Sequence, residues 1–332
     1  MCGIAGAIAG PRSAASAESV ARMLAALSHR GPDGEGLCEF PTSTGERVIL
    51  GHRRLAIIDP NGARQPMCDE EAGLALTFNG EIYNFRSLRE ELKALGYWFA
   101  LDSDTEVLLR GYRHWGPGVV DHLRGMFAFA IWDARKEELF LARDRFGEKP
   151  LFLRESADGV YFASEIKALL QLPQAPPSVN LAAVWDFLAY RYVPGPKTLF
   201  NGIRKLAPGT CALWSRGRLT ERRYWSAPDR EARARATEGD PERAFLARLE
   251  ESVRLQMVSD VPFGAFLSGG LDSSTIVALM TRNNSRVRTF SVGFGEGGYS
   301  ELDYAREVAQ HLRTDHHELT VSFNDIVAHL PQ

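Results

Sequence analysis

Short apolar stretches separated by turn residues dominate residues 1–225, a pattern typical of a β-rich domain. Strands are predicted at residues 4–9, 48–51, 55–58, 74–78, 126–132, 138–142, 151–154 and 160–163. Short turn sequences at residues 133–135, 146–147 and 157–159 join neighbouring strands, and strands joined so closely pair antiparallel. We therefore expect two packed antiparallel sheets with helices on their outer faces.

Amphipathic segments interrupt these strands and predict helices. Residues 19–28 place apolar side chains at helical spacing, and a second such segment at residues 88–95 is ended by Gly96. Ser103 and Glu106 have the spacing of a capping box, which predicts that another helix begins there. The Asn79-Gly80 pair predicts a turn at the end of the strand at 74–78.

The pattern changes after residue 225. Residues 226–243 contain no large apolar side chain and cannot bury a core, so they are predicted to form a linker or mobile loop. Beyond them, strands predicted at 261–267, 289–294 and 318–321 alternate with helices, which is typical of a parallel, doubly wound sheet. The expected organisation is therefore a domain at 2–225, a linker at 226–243 and a second domain at 244–332.

Composition narrows the class of protein. The 332 residues carry 39 basic and 42 acidic side chains, so no positive excess attracts nucleic acid or an anionic membrane. The longest apolar run, residues 126–132, is far shorter than the roughly 18 residues that span a bilayer. The first basic residue, Arg12, follows the apolar N-terminus, unlike a signal peptide, and the 4 cysteines form no C-x-x-C pair. We expect a cytoplasmic protein.

Cys2 is the first candidate for chemistry. Removal of Met1 would place an α-amino group, with a pKa of about 7.7–8.0, beside a thiol with a pKa of about 8.5. Such a residue is a nucleophile that carries its own base. The alternative is a small buried cysteine at the start of a strand.

Other residues could complete a site for acyl transfer. Asn79 and Gly80 offer an amide and a backbone N–H to an oxyanion, although a hairpin turn explains the pair equally. Arg54 could bind a carboxylate, whereas Asp104, helped by Glu81, could bind an ammonium group. Asp104 could instead serve the dipole of the helix that begins beside it, or do both.

Several motifs together resemble the class II glutamine amidotransferases, and glutamine-hydrolysing asparagine synthetases in particular. They are MCGIAG at the N-terminus, HRGPD at 29–33, HRRL at 52–55, FNGEIYN at 78–84, SDTE at 103–106, RDRFG at 143–147, KPL at 149–151 and FASEIK at 162–167. The resemblance covers nearly the whole chain outside the linker. It implies an N-terminal-nucleophile αββα fold in which Cys2 attacks glutamine, with Asn79 and Gly80 at the oxyanion. It also implies a substrate-binding set consisting of Arg54, Leu55, Ala56, Ile57, Ile58, Asn79, Gly80, Glu81 and Asp104.

The second region carries S-G-G-L-D-S-S at residues 268–274, directly after an apolar strand. Two glycines followed by a helix N-terminus suit a phosphate, and the loop resembles that of the ATP pyrophosphatases. The ATP-binding residues implied by that resemblance are Leu267, Ser268, Gly269, Gly270, Asp272, Ser273, Ser274 and Val292. Asp272 is a candidate Mg²⁺ ligand or merely a helix N-terminal charge. His311, His316 and His317 are not expected to bind zinc, because the adjacent His316 and His317 would face opposite sides of a strand.

The resemblance implies an enzyme that hydrolyses glutamine and, in its complete form, uses ATP to amidate aspartate through an acyl-adenylate, with release of AMP and pyrophosphate. The alternatives are an amidotransferase acting on another carboxylate, such as a peptide or cell-envelope precursor, and a non-catalytic regulatory relative. The expected partners are glutamine, aspartate and ATP, with neither nucleic acid nor a membrane. The sequence leaves oligomeric state open, a homodimer included. We expect the chain to be a fragment, because three parallel strands leave apolar surface uncovered.

Overall fold

Two six-stranded antiparallel sheets form the first of two units into which the chain divides, Met1–Ala227 and Pro228–Gln332. The computed structural model describes residues 1–228, 240–284, 286–295 and 300–329. Most of the predicted linker, residues 229–239, lies outside the described residues.

The strands of the first unit are β1 (Gly3–Ala9), β2 (Gly34–Pro41), β3 (Arg47–Arg54), β4 (Met67–Asp69), β5 (Leu74–Ile82), β6 (Gly125–Asp133), β7 (Glu138–Arg143), β8 (Phe152–Ser156), β9 (Gly159–Ala163), β10 (Ile203–Lys205), β11 (Thr210–Ser215) and β12 (Arg218–Arg223). The α-helices are α1 (Ala17–Ala25), α2 (Phe85–Ala94), α3 (Asp104–Trp115), α4 (Val119–His122), α5 (Ile166–Leu169) and α6 (Leu181–Tyr190). One sheet has the order β10-β8-β9-β1-β3-β2 and the other the order β12-β11-β7-β6-β5-β4. The expected pair of packed antiparallel sheets is confirmed.

The alternation of side chains along β1 explains the layers. Ile4 and Ile8 are buried between the two sheets, in one cluster with Trp132 of β6. The alanines between them face outward, and their small size allows α1 to pack closely through Met23. Helices α1 and α5 cover this sheet, while α3 covers β5 of the other sheet. The result is the expected αββα fold, with the N-terminus on a central strand.

Three local predictions were wrong, and a fourth was correct in the start of the helix but not in the full capping box. Residues 55–58 form no strand and belong to the loop between β3 and β4, because sheet pairing ends at Arg54. Asn79-Gly80 is not a turn, since β5 continues to Ile82 in register with β6. Residues 146–147 do not close a hairpin, because β7 and β8 lie in different sheets. The capping box is half formed: Ser103 accepts a hydrogen bond from the Glu106 N–H, but the Glu106 carboxylate binds backbone N–H groups at 100 and 101 instead.

The second unit contains a parallel sheet, as predicted. Its strands have the order β13-β14-β15. The elements are α7 (Pro241–Gln256), β13 (Gly264–Phe266), α8 (Leu271–Asn283), β14 (Arg288–Phe294), α9 (Leu302–Leu312), β15 (Asp315–Val321) and α10 (Phe323–His329). Strand β13 is shorter and β15 longer than expected, so β15 includes both histidines. His316 is largely buried and bonds to Thr289, whereas His317 is about half exposed, which confirms that they face opposite sides.

The sheet of the second unit is unequally covered. On one face of β14, Thr289 and Ser291 are buried, and a Cβ at Gly293 would lie 2.4 Å from Leu302 of α9. On the other face Val292 is 48% exposed, and Leu319, its partner on β15, is 61% exposed. In the described part of this unit, helices therefore pack on one side of the sheet. No helix among the described residues has the length and apolar character needed to cross a bilayer.

Candidate active site

A small cavity lies where the start of β1, the second half of β5 and the loop at 55–66 meet. Its volume is about 60 Å³, whereas pockets for small molecules typically measure roughly 300–1,000 Å³. Its lining consists of Met1, Cys2, Arg54, Leu55, Ile57, Ile58, Ala63, Gln65, Phe78, Asn79, Gly80, Glu81, Asp104, Thr105, Met126 and Lys149. Every glutamine-site candidate from the sequence is present except Ala56, whose N–H donates to Asp33 at 2.9 Å.

Cys2 is held by the backbone of Leu55 and the side chain of Arg30. The N–H of Leu55 donates to its Sγ at 3.3 Å, and the thiol donates to the Leu55 carbonyl at 3.5 Å. Arg30 donates to the Cys2 carbonyl at 2.9 Å and forms an ion pair with Glu165 at 2.8 Å. Three separate motifs of the sequence therefore converge on one cysteine.

Burial changes the proton affinities of the groups at this end of the chain. It raises the pKa of the Cys2 thiol, an effect that the hydrogen bond from Leu55 opposes. It lowers the pKa of the α-amino group, which belongs to Met1 in this structure, and the nearby Arg30 and Lys149 act in the same direction. A lowered pKa favours the neutral amine, which is the form that accepts a proton.

Asn79 presents an unused hydrogen-bond donor to the cavity. The side chain is 1% exposed, and its Nδ2 has no partner among the described residues. Leaving a buried donor unsatisfied costs about 1–3 kcal/mol, which a ligand oxygen in the cavity would recover. The neighbouring Gly80 is required by packing, because a Cβ there would lie 2.1 Å from the carbonyl oxygen of Met126.

Arg54 holds the loop that forms one wall of the cavity. Its guanidinium donates to the carbonyls of Asp59 at 2.6 Å and Pro60 at 2.7 Å, with a longer contact to Ile58. Sequence reasoning assigned Arg54 to a substrate carboxylate and did not anticipate this second task. The side chain lines the cavity while it orders residues 55–66.

Three ionisable side chains, Asp104, Glu81 and Lys149, also line the cavity, and Lys149 contacts Met1. The Asp104 carboxylate accepts a hydrogen bond from the Ile82 N–H at 3.1 Å, and burial raises its pKa to about 7. Burial also raises the pKa of Glu81 and lowers that of Lys149. A ligand bearing both a positive and a negative group would find complementary charges here.

The second candidate site is the loop between β13 and α8. Gly269 has φ of 78°, and a Cβ there would lie 2.5 Å from the backbone of Tyr304, so glycine is required. Ser268 and Ser273 are joined through their hydroxyls at 3.0 Å, and the Gly270 N–H donates to Ser268 at 3.3 Å. The Ser274 hydroxyl is buried without a partner among the described residues.

A cavity of about 160 Å³ adjoins this loop. Leu267, Ser268 and Val292 line it, as the sequence led us to expect of neighbouring strand ends. The remaining candidates lie beside it in the loop and the first turn of α8; they are Gly269, Gly270, Asp272, Ser273 and Ser274. Asp272 is exposed, and the described residues contain no cluster of three or more metal-binding side chains.

Comparison with known proteins identifies both regions. Residues 1–225 match the family model described as a glutamine amidotransferase domain. The chain belongs to this family. Residues 244–332 match the model described as asparagine synthase.

Relatives of this amidotransferase match over nearly its whole length. The chain is 40% identical to asparagine synthetase [glutamine-hydrolyzing] 1 of Bacillus subtilis over 95% of its own length and 49% of that protein. It is 35% identical to asparagine synthetase [glutamine-hydrolyzing] 2 of Arabidopsis thaliana over 98% of the chain and 52% of that protein. The chain thus spans about half the length of such relatives. A solved allosteric regulatory enzyme of purine biosynthesis shares the fold, with a TM-score of 0.52 at 17% identity over 97% of the chain and 80% of that structure.

Sequence reasoning missed Lys149 as a cavity residue of the amidotransferase domain, although it had singled out the motif that contains it. Asp144 accepts hydrogen bonds from four backbone N–H groups, including that of Lys149 at 3.0 Å. Arg143 donates to the Lys149 carbonyl at 2.8 Å. The RDRFG motif therefore forms a turn that places Lys149, the first residue of KPL, in the lining of the cavity. Gln65, which accepts a hydrogen bond from the Phe78 N–H at 2.7 Å, had no recognisable sequence signal.

Proposed function

We propose that this chain hydrolyses the side-chain amide of glutamine at Cys2, yielding glutamate and ammonia. The observation that carries the proposal is the pairing of a cysteine with an unpartnered amide donor, Asn79 Nδ2, in one cavity. A nucleophile and an oxyanion donor are the two elements that acyl transfer requires.

The reaction begins once Met1 has been removed and the α-amino group belongs to Cys2. That amine takes the thiol proton, and the sulfur attacks the amide carbon of glutamine. Asn79 Nδ2 and the Gly80 N–H donate to the oxyanion that forms. The intermediate collapses to a thioester as the leaving nitrogen takes the proton and departs as ammonia. Water then cleaves the thioester, which releases glutamate and restores the thiol.

The remaining lining residues would bind the amino-acid end of glutamine. Arg54 supplies a cation for the α-carboxylate while its other N–H groups hold the loop. Asp104 and Glu81 supply negative charge for the α-ammonium group. The backbone of residues 54–58 would form the wall along the substrate. Ala56 does not line the cavity, so it would act only by holding the residues on either side of it.

For the second unit we propose the ATP-dependent half of a glutamine-dependent asparagine synthetase. There an acid, aspartate in this proposal, attacks the α-phosphate of ATP, displaces pyrophosphate and becomes an acyl-adenylate. Ammonia then displaces AMP to give the amide. The positive φ of Gly269 and the unpartnered Ser274 hydroxyl support a phosphate-binding role for the loop. The names of the relatives favour aspartate over other carboxylates.

Mg²⁺ fits this loop only if substrate phosphates supply some of its ligands. One carboxylate, Asp272, is available at the loop, and Mg²⁺ is commonly held by one or two carboxylates together with substrate phosphates. Asp272 would hold the ion, whose charge would offset that of the pyrophosphate group. We place the reaction in the cytoplasm, since all four cysteines are free.

Replacement of Cys2 tests the first half-reaction. Cys2→Ala should abolish ammonia release from glutamine while the thermal unfolding curve stays unchanged. Cys211→Ala is the matched control, because Cys211 lies in β11 away from the cavity, and it should retain hydrolysis. Intact-mass analysis of active protein should show Met1 absent. Glutamine hydrolysis by the Cys2→Ala chain, or full activity with Met1 retained, would refute the proposal.

A further inference from the structure

Lys149 is buried in the lining of the Cys2 cavity, and the proposed reaction gives its charge no task. The residue is 5% exposed, and the hydrogen bonds of its backbone to Asp144 and Arg143 determine where its side chain begins. Within the described part of the chain, the ammonium nitrogen Nζ has the Met1 sulfur as its hydrogen-bond partner, at 3.0 Å, and forms no ion pair. Lysines are rarely buried so deeply unless a carboxylate pairs with them, so this charge requires a physical reason.

The contact with Met1 shows where this charge lies relative to the nucleophile. Five covalent bonds join the Met1 sulfur to the Cys2 backbone nitrogen, and they span at most about 6.5 Å. Lys149 Nζ therefore lies within about 9.5 Å of the nitrogen that becomes the α-amino group when Met1 is removed. Removal of Met1 also takes away the sulfur that accepts from Nζ. The ammonium group and the new amino group then belong to two residues that line one small cavity.

Other ionisable groups also act on this end of the cavity. They are, besides the Cys2 thiol, the acids Asp33, Glu81, Asp104, Asp144 and Glu148 and the bases Arg30 and Arg54. Of the two other cations, Arg30 is paired with Glu165, and Arg54 donates to carbonyls of the loop at 55–66. Among the described residues, Lys149 is therefore the cation near the amino group that neither a carboxylate nor a carbonyl engages.

We propose that Lys149 is a positioning residue for glutamine hydrolysis, whose ammonium group keeps the α-amino group of Cys2 in the neutral form that accepts the thiol proton. This role rests on the proposed function. A free α-amino group has a pKa of about 7.7–8.0, so most of it is protonated at pH 7. Burial, Arg30 and Lys149 all lower the pKa of the α-amino group that Met1 carries in this structure. Once the amine has taken the thiol proton, the same repulsion promotes transfer of that proton to the leaving nitrogen, which departs as ammonia.

Coulomb's law gives the expected size of the effect. A unit charge about 9.5 Å away lowers the pKa of an amine by about 0.3 in a medium like water and by about 1.3 at an effective dielectric constant of about 20. A shorter separation gives a larger effect. Loss of the Lys149 charge should therefore raise the pKa of the Cys2 amino group by about 0.3–1.3, and the neutral fraction below that pKa should fall about two- to twentyfold.

The effect on the amino group is measured without reference to activity. In the Cys2→Ala chain freed of Met1, trace acetylation by acetic anhydride between pH 6 and 10, followed on the N-terminal peptide by mass spectrometry, gives the pKa of the α-amino group. Lys149→Met keeps the length of the side chain without its charge and should raise this pKa by about 0.3–1.3. Lys149→Gln, a second neutral variant, should do the same, whereas Lys149→Arg should leave the pKa within about 0.2 of the parent value.

Lys136→Met is the matched control, because Lys136 pairs with Asp133 at the end of β6 opposite to the cavity residue Met126. It should leave the pKa of the amino group unchanged. Equal pKa values in the parent and in the folded neutral variants of Lys149 would refute the proposal.

The consequence for hydrolysis is measured in the chain that retains Cys2, at saturating glutamine, so that changes in KM do not enter. In both neutral variants the acid limb of the kcat profile should move to higher pH by the same amount, while kcat at pH 9 matches that of the parent. Lys149→Arg should restore the parent profile. A loss of kcat that is equal at all pH values, or a higher KM with an unchanged kcat profile, would refute the proposal. If the parent chain hydrolyses no glutamine, the proposed function fails, whereas the acetylation still decides whether Lys149 acts on the amino group.

Discussion

The two units differ in how completely their sheets are covered. Both sheets of the first unit are buried on their inner faces against each other, and helices cover parts of their outer faces. In the described part of the second unit, helices cover one face of the parallel sheet, and the other presents Phe290, Val292 and Phe294 to solvent. Parallel sheets normally bury both faces, so the second unit lacks a large part of the usual stabilisation.

The two candidate sites also differ in how many contacts hold them. Hydrogen bonds from Leu55 and Arg30 hold Cys2, and the unsatisfied Asn79 donor is buried beside it. The S-G-G loop of the second unit is exposed, and hydroxyl contacts among its own serines hold it. The contrast is that the proposed glutamine site is held by contacts from distant parts of the chain, whereas the proposed phosphate loop is held mainly by its own residues.

Substitutions of one donor in each unit test this contrast and have the largest expected effect. Asn79→Ala should lower kcat for glutamine hydrolysis by about 10²–10³, the usual loss for one oxyanion donor. Ser274→Ala, which removes the unpartnered hydroxyl of the other unit, should leave hydrolysis unchanged. Both are measured by ammonia release at saturating glutamine. Equal activity of Asn79→Ala and the parent would mean that this amide does not contact the oxyanion.

Core substitutions compare the stability of the units. Ile8→Ala should reduce the free energy of unfolding by about 2–5 kcal/mol, because it empties space between two packed sheets. Val292→Thr should change it by no more than about 0.5 kcal/mol, since the side chain is half exposed. Calorimetry should also show the second unit melting first. A single transition shared by both units would contradict the comparison.

The sequence predicted the layers of both units because side-chain periodicity reports which strand faces are buried. All of the nine glutamine-binding candidates except Ala56 line the cavity. Chemistry suggested Arg54, Glu81, Asp104 and the Asn79-Gly80 pair, whereas the other candidates came from the resemblance to a known family. The sequence could not predict that β5 continues through Asn79-Gly80. Gly80 is required because β6 approaches closely there, and this contact joins residues that are far apart in the sequence. Gln65 was not predicted for a related reason, because its role depends on the fold of a loop whose apolar residues have no regular spacing.

The smallest expected effect is a pH dependence set by Asp104. Burial holds this carboxyl protonated below about pH 7, and only its ionised form attracts the α-ammonium of glutamine. KM should therefore fall as the pH rises from 6 to 8, by roughly tenfold at most, since the ionised fraction changes about that much around a pKa of 7.

The free energy of unfolding of the ligand-free chain should change with pH in the unfavourable direction. A carboxyl whose pKa is higher in the folded than in the unfolded state makes the ligand-free chain less stable as the pH rises between about 4 and 7. Asp104→Asn should weaken binding most at pH 8, approach the parent toward pH 6 and flatten both profiles, whereas the exposed Asp102→Asn should follow the parent. Steady-state kinetics and thermal melts across this range decide the matter, and a pH dependence of KM that persists in Asp104→Asn would assign the titration to another group.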